Sequence, residues 1–293
     1  MRNTKAWMRE EIAAAAALGF ALMLCAALPA GAQATQPKPA AQQPPSTSGG
    51  TPPAAGESAP VKPPVTKEEE DAYKAFAALT PQQSAEIISQ GEKFLADRPA
   101  SLYRTVIFAK LAFTYSSLSQ MDKVFATSNK ALAENPDNID VLALVCTLLP
   151  VANFDPRALD ADQKLAAAEK YAKRVLEIAP TLAKPADMTE EQFANFLKVK
   201  VGMAHSGLGR VYFREGRTSD FVREFGLSTT TDPTPDPLDY YLLGQGQMRL
   251  KDYPDAVAAF DQCAKGRWDP QWQGRCKQGA QDAKQAASAP AKP

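Results

Sequence analysis

The clearest pattern of apolar and polar positions along the chain lies in residues 237–264. Two runs of four positions there follow the spacing i, i+3, i+4, i+7, which places each run on one face of a helix. The runs are Tyr240, Leu243, Gly244 and Gln247, then Ala256, Ala259, Phe260 and Cys263. The pattern predicts two short amphipathic helices joined by a turn at residues 251–255. A pair this short cannot bury its own apolar stripe, so we expect similar pairs stacked beside it.

The same landmarks recur one repeat upstream. Gly209 and Gly244 are 35 positions apart, as are Phe225 and Phe260. The upstream copy comprises Leu208, Gly209, Tyr212 and Gly216, then Phe221, Phe225 and Pro233. This order of Leu, Gly and aromatic residues resembles the tetratricopeptide repeat (TPR), whose period is about 34 residues. The resemblance implies a solenoid of helical hairpins that binds other proteins.

The resemblance covers residues 66–287 and predicts an all-α, TPR-like solenoid with a C-terminal capping helix. The expected repeats occupy about residues 66–100, 101–138, 139–182, 189–236 and 237–269, followed by a cap at 270–287 and a disordered tail at 288–293. Three capping boxes mark helix starts, at Thr66 with Glu69, Thr80 with Gln83 and Thr189 with Gln192. A loop at 150–160 accounts for the excess length of the third repeat, and a linker at 181–187 together with a lengthened helix starting at Thr189 accounts for that of the fourth.

The first 34 residues have the pattern of an export signal. A basic start precedes the apolar run at residues 12–28, and Ala32-Gln33-Ala34 is a small-x-small cleavage pattern. We expect cleavage after Ala34 and a periplasmic or secreted protein, with an uncleaved membrane anchor as the alternative. Residues 35–65 are rich in Pro, Gln, Ser, Gly and Ala, which predicts a disordered, extended linker.

Composition narrows the classes of partner and chemistry. The 33 basic and 33 acidic residues cancel, which argues against a nucleic-acid or membrane partner held by bulk electrostatics. His205 is the only His, and it falls at a packing position of its predicted helix. A single His cannot complete a catalytic triad or a three-His zinc site. We therefore expect no enzymatic activity, no metal and no cofactor.

The cysteines have structural interpretations. Cys263 and Cys276 are 13 positions apart on helices predicted to be neighbours, so neither a CxxC redox motif nor a paired-CxxC zinc site is available. In an oxidising compartment they would form a disulfide between the last hairpin and the cap; the alternative is two separately buried thiols. Cys146 occupies the small-residue position of the third repeat, so we expect its thiol to be buried and inert.

The resemblance also implies a concave peptide-binding groove lined by first-helix positions. Carried over to this chain, the candidate residues are Phe113, Met203, Arg210, Phe213, Arg214, Tyr241, Gln245, Met248 and Arg249, with Ser116 and Ser117 beside Phe113. The three arginines among aromatic residues and methionines would suit a peptide bearing carboxylates. Alternatively, the arginines are solvated or pair with Glu215, Glu224 or Asp239. The Lys and Asn residues of the family's carboxylate clamp are not reproduced.

These observations predict a non-enzymatic scaffold or adaptor that binds a protein or peptide partner. Residues 94–101, FLADRPAS, are similar to repeats of bacterial envelope TPR proteins, so we expect the partner to be a component of the cell envelope. Two alternatives remain. One is an enzyme or ligand-binding protein with a pocket formed by the loop at 150–160 and the helix starting at Thr189. The other is a structural spacer without a specific partner.

Overall fold

The computed structural model describes residues 65–152, 154–266 and 270–289, and these residues confirm the predicted all-α class. They form eleven α-helices and no strand. In chain order the helices are α1 (Lys67–Ala77), α2 (Ser84–Asp97), α3 (Arg104–Ser117), α4 (Met121–Glu134), α5 (Ile139–Leu148), α6 (Ala161–Ile178), α7 (Glu190–Glu215), α8 (Thr218–Thr231), α9 (Pro237–Leu250), α10 (Tyr253–Lys265) and α11 (Pro270–Ser288). The predicted leader, nearly all of the predicted linker and the last four residues lie outside the described part.

Short-range capping sets several helix starts. Thr189 and Gln192 form a reciprocal capping box, in which the Thr189 amide donates to Gln192 Oε1 at 2.9 Å and the Gln192 amide to Thr189 Oγ1 at 3.1 Å. A second capping box occurs at Thr80 and Gln83. At Thr66 one half is present, because its hydroxyl accepts the Glu69 amide at 3.1 Å. These bonds satisfy amides that the first turn of a helix leaves without partners.

The helices pack mainly on their neighbours along the chain, and α5 also packs on α7. One hydrophobic cluster joins α1 to α5, a small one lies between α3, α4 and α5, and the largest runs from α5 to α11. Among the described residues, no helix combines the length and apolar character needed to cross a membrane.

Close backbone approach fixes α11 on α9 and α10. The ring of Phe260 on α10 is 1% exposed and lies between Gly244 of α9 and Gly279 of α11. A Cβ atom at Gly279 would come within 2.7 Å of that ring, and one at Gly244 within 3.0 Å. Because only glycine leaves room for the ring at these distances, the two positions determine how tightly α11 lies against the rest of the array.

Candidate functional site

The first helices of the third and fourth predicted repeats, α5 and α7, lie in close contact. The Cys146 thiol of α5 is 3.8 Å from the Met203 carbonyl oxygen of α7. A Cβ at Gly207 would be 2.8 Å from Cys146 Sγ and 2.9 Å from its carbonyl oxygen. The backbones of α5 and α7 therefore approach closely, and side chains that point between them are buried.

Arg210 is the clearest example, with 4% of its surface exposed. One terminal nitrogen donates to the Thr147 carbonyl oxygen at 3.2 Å. The other donates to Asp236 at 2.7 Å and to Asp239 at 3.1 Å. Burial on its own lowers the pKa of Arg210, but the carboxylates of Asp239 and Asp236 outweigh it, so the pKa is raised and the guanidinium remains charged.

Asp239 is equally enclosed, being 1% exposed. Besides Arg210, it accepts hydrogen bonds from Ser206 at 3.0 Å and Ser228 at 2.8 Å. The network thus joins α7, α8 and α9 through one carboxylate. Removing the side chain of one partner would leave the other charge buried without compensation, which strongly destabilises a folded protein.

The groove assignment of three residues needs correction. Met203, Arg210 and Tyr241 lie in the interior, with 5%, 4% and 4% of their surfaces exposed. Tyr241 packs edge-on against the rings of Phe260 and Trp272, at 5.7 and 5.6 Å between ring centroids. The physical reasons are local: α5 and α7 approach closely around Met203, the rings of α10 and α11 cover Tyr241, and the aspartates at the start of α9 draw Arg210 inward. Pairing of Arg210 with Asp239 was the alternative interpretation from sequence.

The first half of α7 covers another part of the expected groove. Lys200, itself buried, pairs with Asp140 of α5. Its ammonium lies 5.1 Å from the Phe113 ring of α3 and 5.0 Å from the Phe196 ring of α7. Phe113 is therefore half-buried beneath the chain's own helix, and nine of the ten residues of α5 are buried. Ser116 on α3 is buried as well, whereas Ser117 is exposed.

A second group of predicted residues reaches the surface at the C-terminal ends of α7 and α9. Arg214 donates from Nε to the Pro150 carbonyl oxygen at 2.8 Å, and its guanidinium lies 4.7 Å from the Phe154 ring centre. Arg249 lies 5.3 Å from the ring centre of Phe213. We call Phe154, Phe213, Arg214 and Arg249 the arginine–aromatic patch. These residues come from α7, α9 and the loop that follows α5.

Both arginines of the patch lose part of their hydration. Burial lowers the pKa of Arg214 to about 10 and also lowers the pKa of Arg249. No carboxylate of the described residues forms an ion pair with Arg214. By contrast, the exposed Arg217 and Arg223 both pair with Asp220, at 2.8 and 3.0 Å. The patch is therefore a place where positive charge is partly desolvated and is surrounded by rings.

The last two predicted groove residues, Gln245 and Met248, are half-buried on α9. Gln245 donates to the Tyr241 hydroxyl at 3.4 Å, and Met248 packs against the largest hydrophobic cluster. Phe154 is not among the groove residues that the sequence predicts. It lies in the loop at 150–160, where the family pattern assigns no groove position, and a lone aromatic residue between Asn153 and Asp155 was the available signal.

The cysteines and the histidine take structural positions. Cys263 and Cys276 form a disulfide with a Cα–Cα distance of 5.7 Å, which connects α10 to α11. Cys146 is a free, fully buried thiol, and burial raises its pKa to about 12. His205 lies 2.8 Å from Glu224 through Nδ1 and joins α7 to α8.

A cavity of about 660 Å³ opens between α4 and α6. It is lined by Leu132, Pro136, Asp137, Ala166, Glu169, Lys170, Tyr171, Lys173, Arg174 and Glu177. Its charged groups largely pair with one another, as in the two 2.7 Å contacts of Arg174 with Asp137 and the 2.8 Å contact of Lys173 with Glu169. No described residue of the loop at 150–160 and no residue of the start of α7 lines it. Among the described residues, no group of three or more His, Cys, Asp or Glu side chains is placed to hold a metal ion.

Comparison with known proteins finds no matching family model and no matching curated sequence.

Proposed function

We propose that this protein is a non-enzymatic scaffold of the bacterial cell envelope, built from TPR-like helical hairpins, that binds a partner protein through the arginine–aromatic patch. The export-signal pattern at residues 1–34 supports an envelope location. The pairing of helices with a repeat spacing of 35 residues supports the TPR-like interpretation.

The observation that carries the proposal is the position of Arg214 and Arg249 over aromatic rings at one edge of the array. Arginines and large aromatic side chains dominate the energetics of protein interfaces when they lie together and are partly desolvated. Here two such pairs, Arg214 with Phe154 and Arg249 with Phe213, are presented by neighbouring elements. Stacked rings restrict the two guanidinium groups before a partner arrives, so less conformational entropy is lost on binding.

In-cell crosslinking followed by mass spectrometry of the co-purified proteins tests the proposal. We expect wild-type protein to recover a specific envelope protein and the Arg214→Gln/Arg249→Gln variant to lose it. Arg210 is left unchanged because it is buried, so a loss of binding after its replacement could result from misfolding. The matched control is Arg174→Gln/Arg223→Gln, which removes two exposed arginines from α6 and α8.

Two results would contradict the proposal. Recovery of the same partner by wild type and by the patch variant would remove the patch from the interface. Recovery of no specific protein by either would favour a spacer without a partner. Thermal melts of the two double variants, followed by circular dichroism, must agree for the comparison to hold.

A further inference from the structure

Arg214 has unused hydrogen-bond donors beside an apolar surface. Its Nε donates to the Pro150 carbonyl oxygen, and the Phe154 ring covers one side of the guanidinium. The two terminal nitrogens form no hydrogen bond with other described residues, and burial is the sole cause of the lowered pKa of the group. A neutral carbonyl and a ring thus hold the guanidinium in place without compensating its charge.

Other arginines in the described part of the chain show that carboxylates are available to this fold. Arg104 pairs with Glu134 at 2.8 Å, and Arg174 pairs with Asp137 at 2.7 Å. Arg210, one helical turn before Arg214, pairs with two aspartates. The charge of Arg214 is therefore left for a group that comes from outside.

We infer that the arginine–aromatic patch docks an acidic segment of the partner protein, with a carboxylate of that segment received by the two terminal nitrogens of Arg214. This inference rests on the proposed function and specifies the chemistry of its partner. A guanidinium offers two parallel donors that match the two oxygens of a carboxylate, and ion pairs of this kind are strong where water is partly excluded.

Arg249 extends the same surface. Its guanidinium lies over Phe213, the residue that precedes Arg214, and so adds a second positive charge to the patch. Apolar anchors of the partner segment would pack on the rings of Phe154 and Phe213 beside the carboxylate. A segment that alternates acidic and large apolar residues therefore fits the patch best.

A nucleic acid fits this surface less well than an acidic peptide. Binding of a polyphosphate chain depends on many basic groups along an extended track. The chain has a net charge of +0, and two arginines that follow α7, Arg217 before α8 and Arg223 on α8, are already paired with Asp220. Charge complementarity is thus limited to a short acidic segment.

Selection from a displayed library of short random peptides on the full exported protein tests the inference. We expect the enriched peptides to contain Asp or Glu next to Phe, Leu or Trp. A synthetic enriched peptide should bind Arg214→Gln about tenfold more weakly than wild type or worse, as expected for a lost charge-assisted hydrogen bond. The Arg214→Lys variant should also bind more weakly, because an ammonium lacks the planar fork.

Matched controls separate the carboxylate from general attraction. Replacing Asp and Glu of the peptide by Asn and Gln should abolish the difference between wild type and Arg214→Gln, and binding to Arg174→Gln should equal binding to wild type. Added salt should weaken binding of the acidic peptide but not binding of its Asn- and Gln-substituted form.

Several outcomes would overturn the inference. One is enrichment of neutral or basic peptides. Another is that wild type and Arg214→Gln bind every enriched peptide equally well. A third is Arg214-dependent binding to anionic lipid vesicles instead of peptides. The proposed function fails separately. In-cell crosslinking can recover a partner that depends on the patch while the peptide selection shows no preference for acidic peptides. In that case the proposed scaffold function is retained and the acidic partner segment is rejected.

Discussion

The two ends of the helix array are held by different means. At the C-terminal end, α9, α10 and α11 enclose the Phe260 ring between two glycines and are joined by the Cys263–Cys276 disulfide. At the N-terminal end, α1 buries two aromatic residues, Tyr73 and Phe76, and contains no cysteine that could form a disulfide with its neighbours. Close packing around Phe260 and a disulfide therefore hold the C-terminal end, whereas a few buried rings and hydrogen bonds hold the N-terminal end.

This difference bears on where a binding surface can lie. Three of the four residues of the arginine–aromatic patch lie on α7 and α9, the two helices that the Arg210–Asp239 contact also joins. Side chains on closely packed helices keep their positions better than those on loosely held ones. The C-terminal half therefore offers the more rigid support for the proposed binding surface, and the four predictions below test the physical basis of this comparison.

The largest expected effect is that of Phe260→Ala. The ring is fully enclosed, so its removal leaves a cavity that two glycine backbones and the Tyr241 ring cannot fill. We expect the free energy of unfolding to fall by about 3–5 kcal/mol, measured by urea denaturation. Phe193→Ala serves as the control, because Phe193 is half-exposed on the first half of α7, and it should cost less than about 1 kcal/mol. Equal losses in the two variants would remove Phe260 as the central packing residue of this end.

The disulfide should have the next largest effect. It joins two residues that are 13 positions apart, and a crosslink of this span stabilises a folded protein by about 3 kcal/mol. We expect the Cys263→Ala/Cys276→Ala variant to unfold at correspondingly lower urea concentration and to be insensitive to a reductant, whereas wild type loses stability when reduced. Cys146→Ala is the matched control, since it removes a thiol that lies outside the disulfide and should keep the response to the reductant. A wild type that is equally stable with and without reductant would contradict the role of the crosslink.

A smaller, pH-dependent effect is expected at Asp232, in the turn between α8 and α9. Burial raises the pKa of Asp232 to about 6 from its usual 3.8, although the Thr234 amide donates to it at 2.8 Å. A carboxyl whose pKa is raised on folding stabilises the folded state below its unfolded pKa, and this contribution disappears as the pH rises through 6.

The isosteric change Asp232→Asn tests that sign. Asparagine keeps the acceptor oxygen for Thr234 and removes the charge. We expect it to be more stable than wild type by at most about 3 kcal/mol above pH 6. The advantage should shrink between pH 6 and pH 4 and vanish below the pKa of the unfolded chain, as measured by urea denaturation across this range. A difference between the two proteins that does not vary with pH would contradict the assignment.

Local signals explain why the helix starts could be predicted from the sequence. The capping boxes at Thr80 and Thr189 depend on residues three positions apart, so the sequence itself brings their atoms together. The all-α class likewise follows from apolar spacing within single helices. Such features depend little on how distant parts of the chain are arranged.

The candidate site depended on distant contacts that periodicity does not determine. Arg210 and Arg214 are one helical turn apart and were assigned to the same surface, yet one is enclosed by Asp236 and Asp239 and the other lies over Phe154. Their difference comes from how closely α5 and α9 approach α7. Side-chain charge and helical position could not reveal that distance from one sequence.

The smallest effect is expected at Lys110, which holds the N-terminal end together. Its ammonium donates to the carbonyl oxygens of Phe76, Ala77 and Leu79 at 3.0, 2.9 and 2.8 Å. A positive charge at the C-terminal end of α1 also interacts favourably with the helix dipole. Lys110→Met keeps much of the aliphatic stem and removes the charge, so we expect a loss of about 1–2 kcal/mol.

The distribution of this loss should distinguish the two ends of the array. Hydrogen exchange should accelerate in α1 and α2 of Lys110→Met while α9, α10 and α11 exchange as in wild type, because the crosslinked end does not depend on these three hydrogen bonds. Lys93→Met, which alters an exposed lysine that pairs with Asp97 on its own helix, should leave exchange unchanged throughout. Acceleration that spreads evenly to α11 would mean that the array unfolds as one cooperative unit. In that case the contrast between its ends would describe local contacts and not local stability.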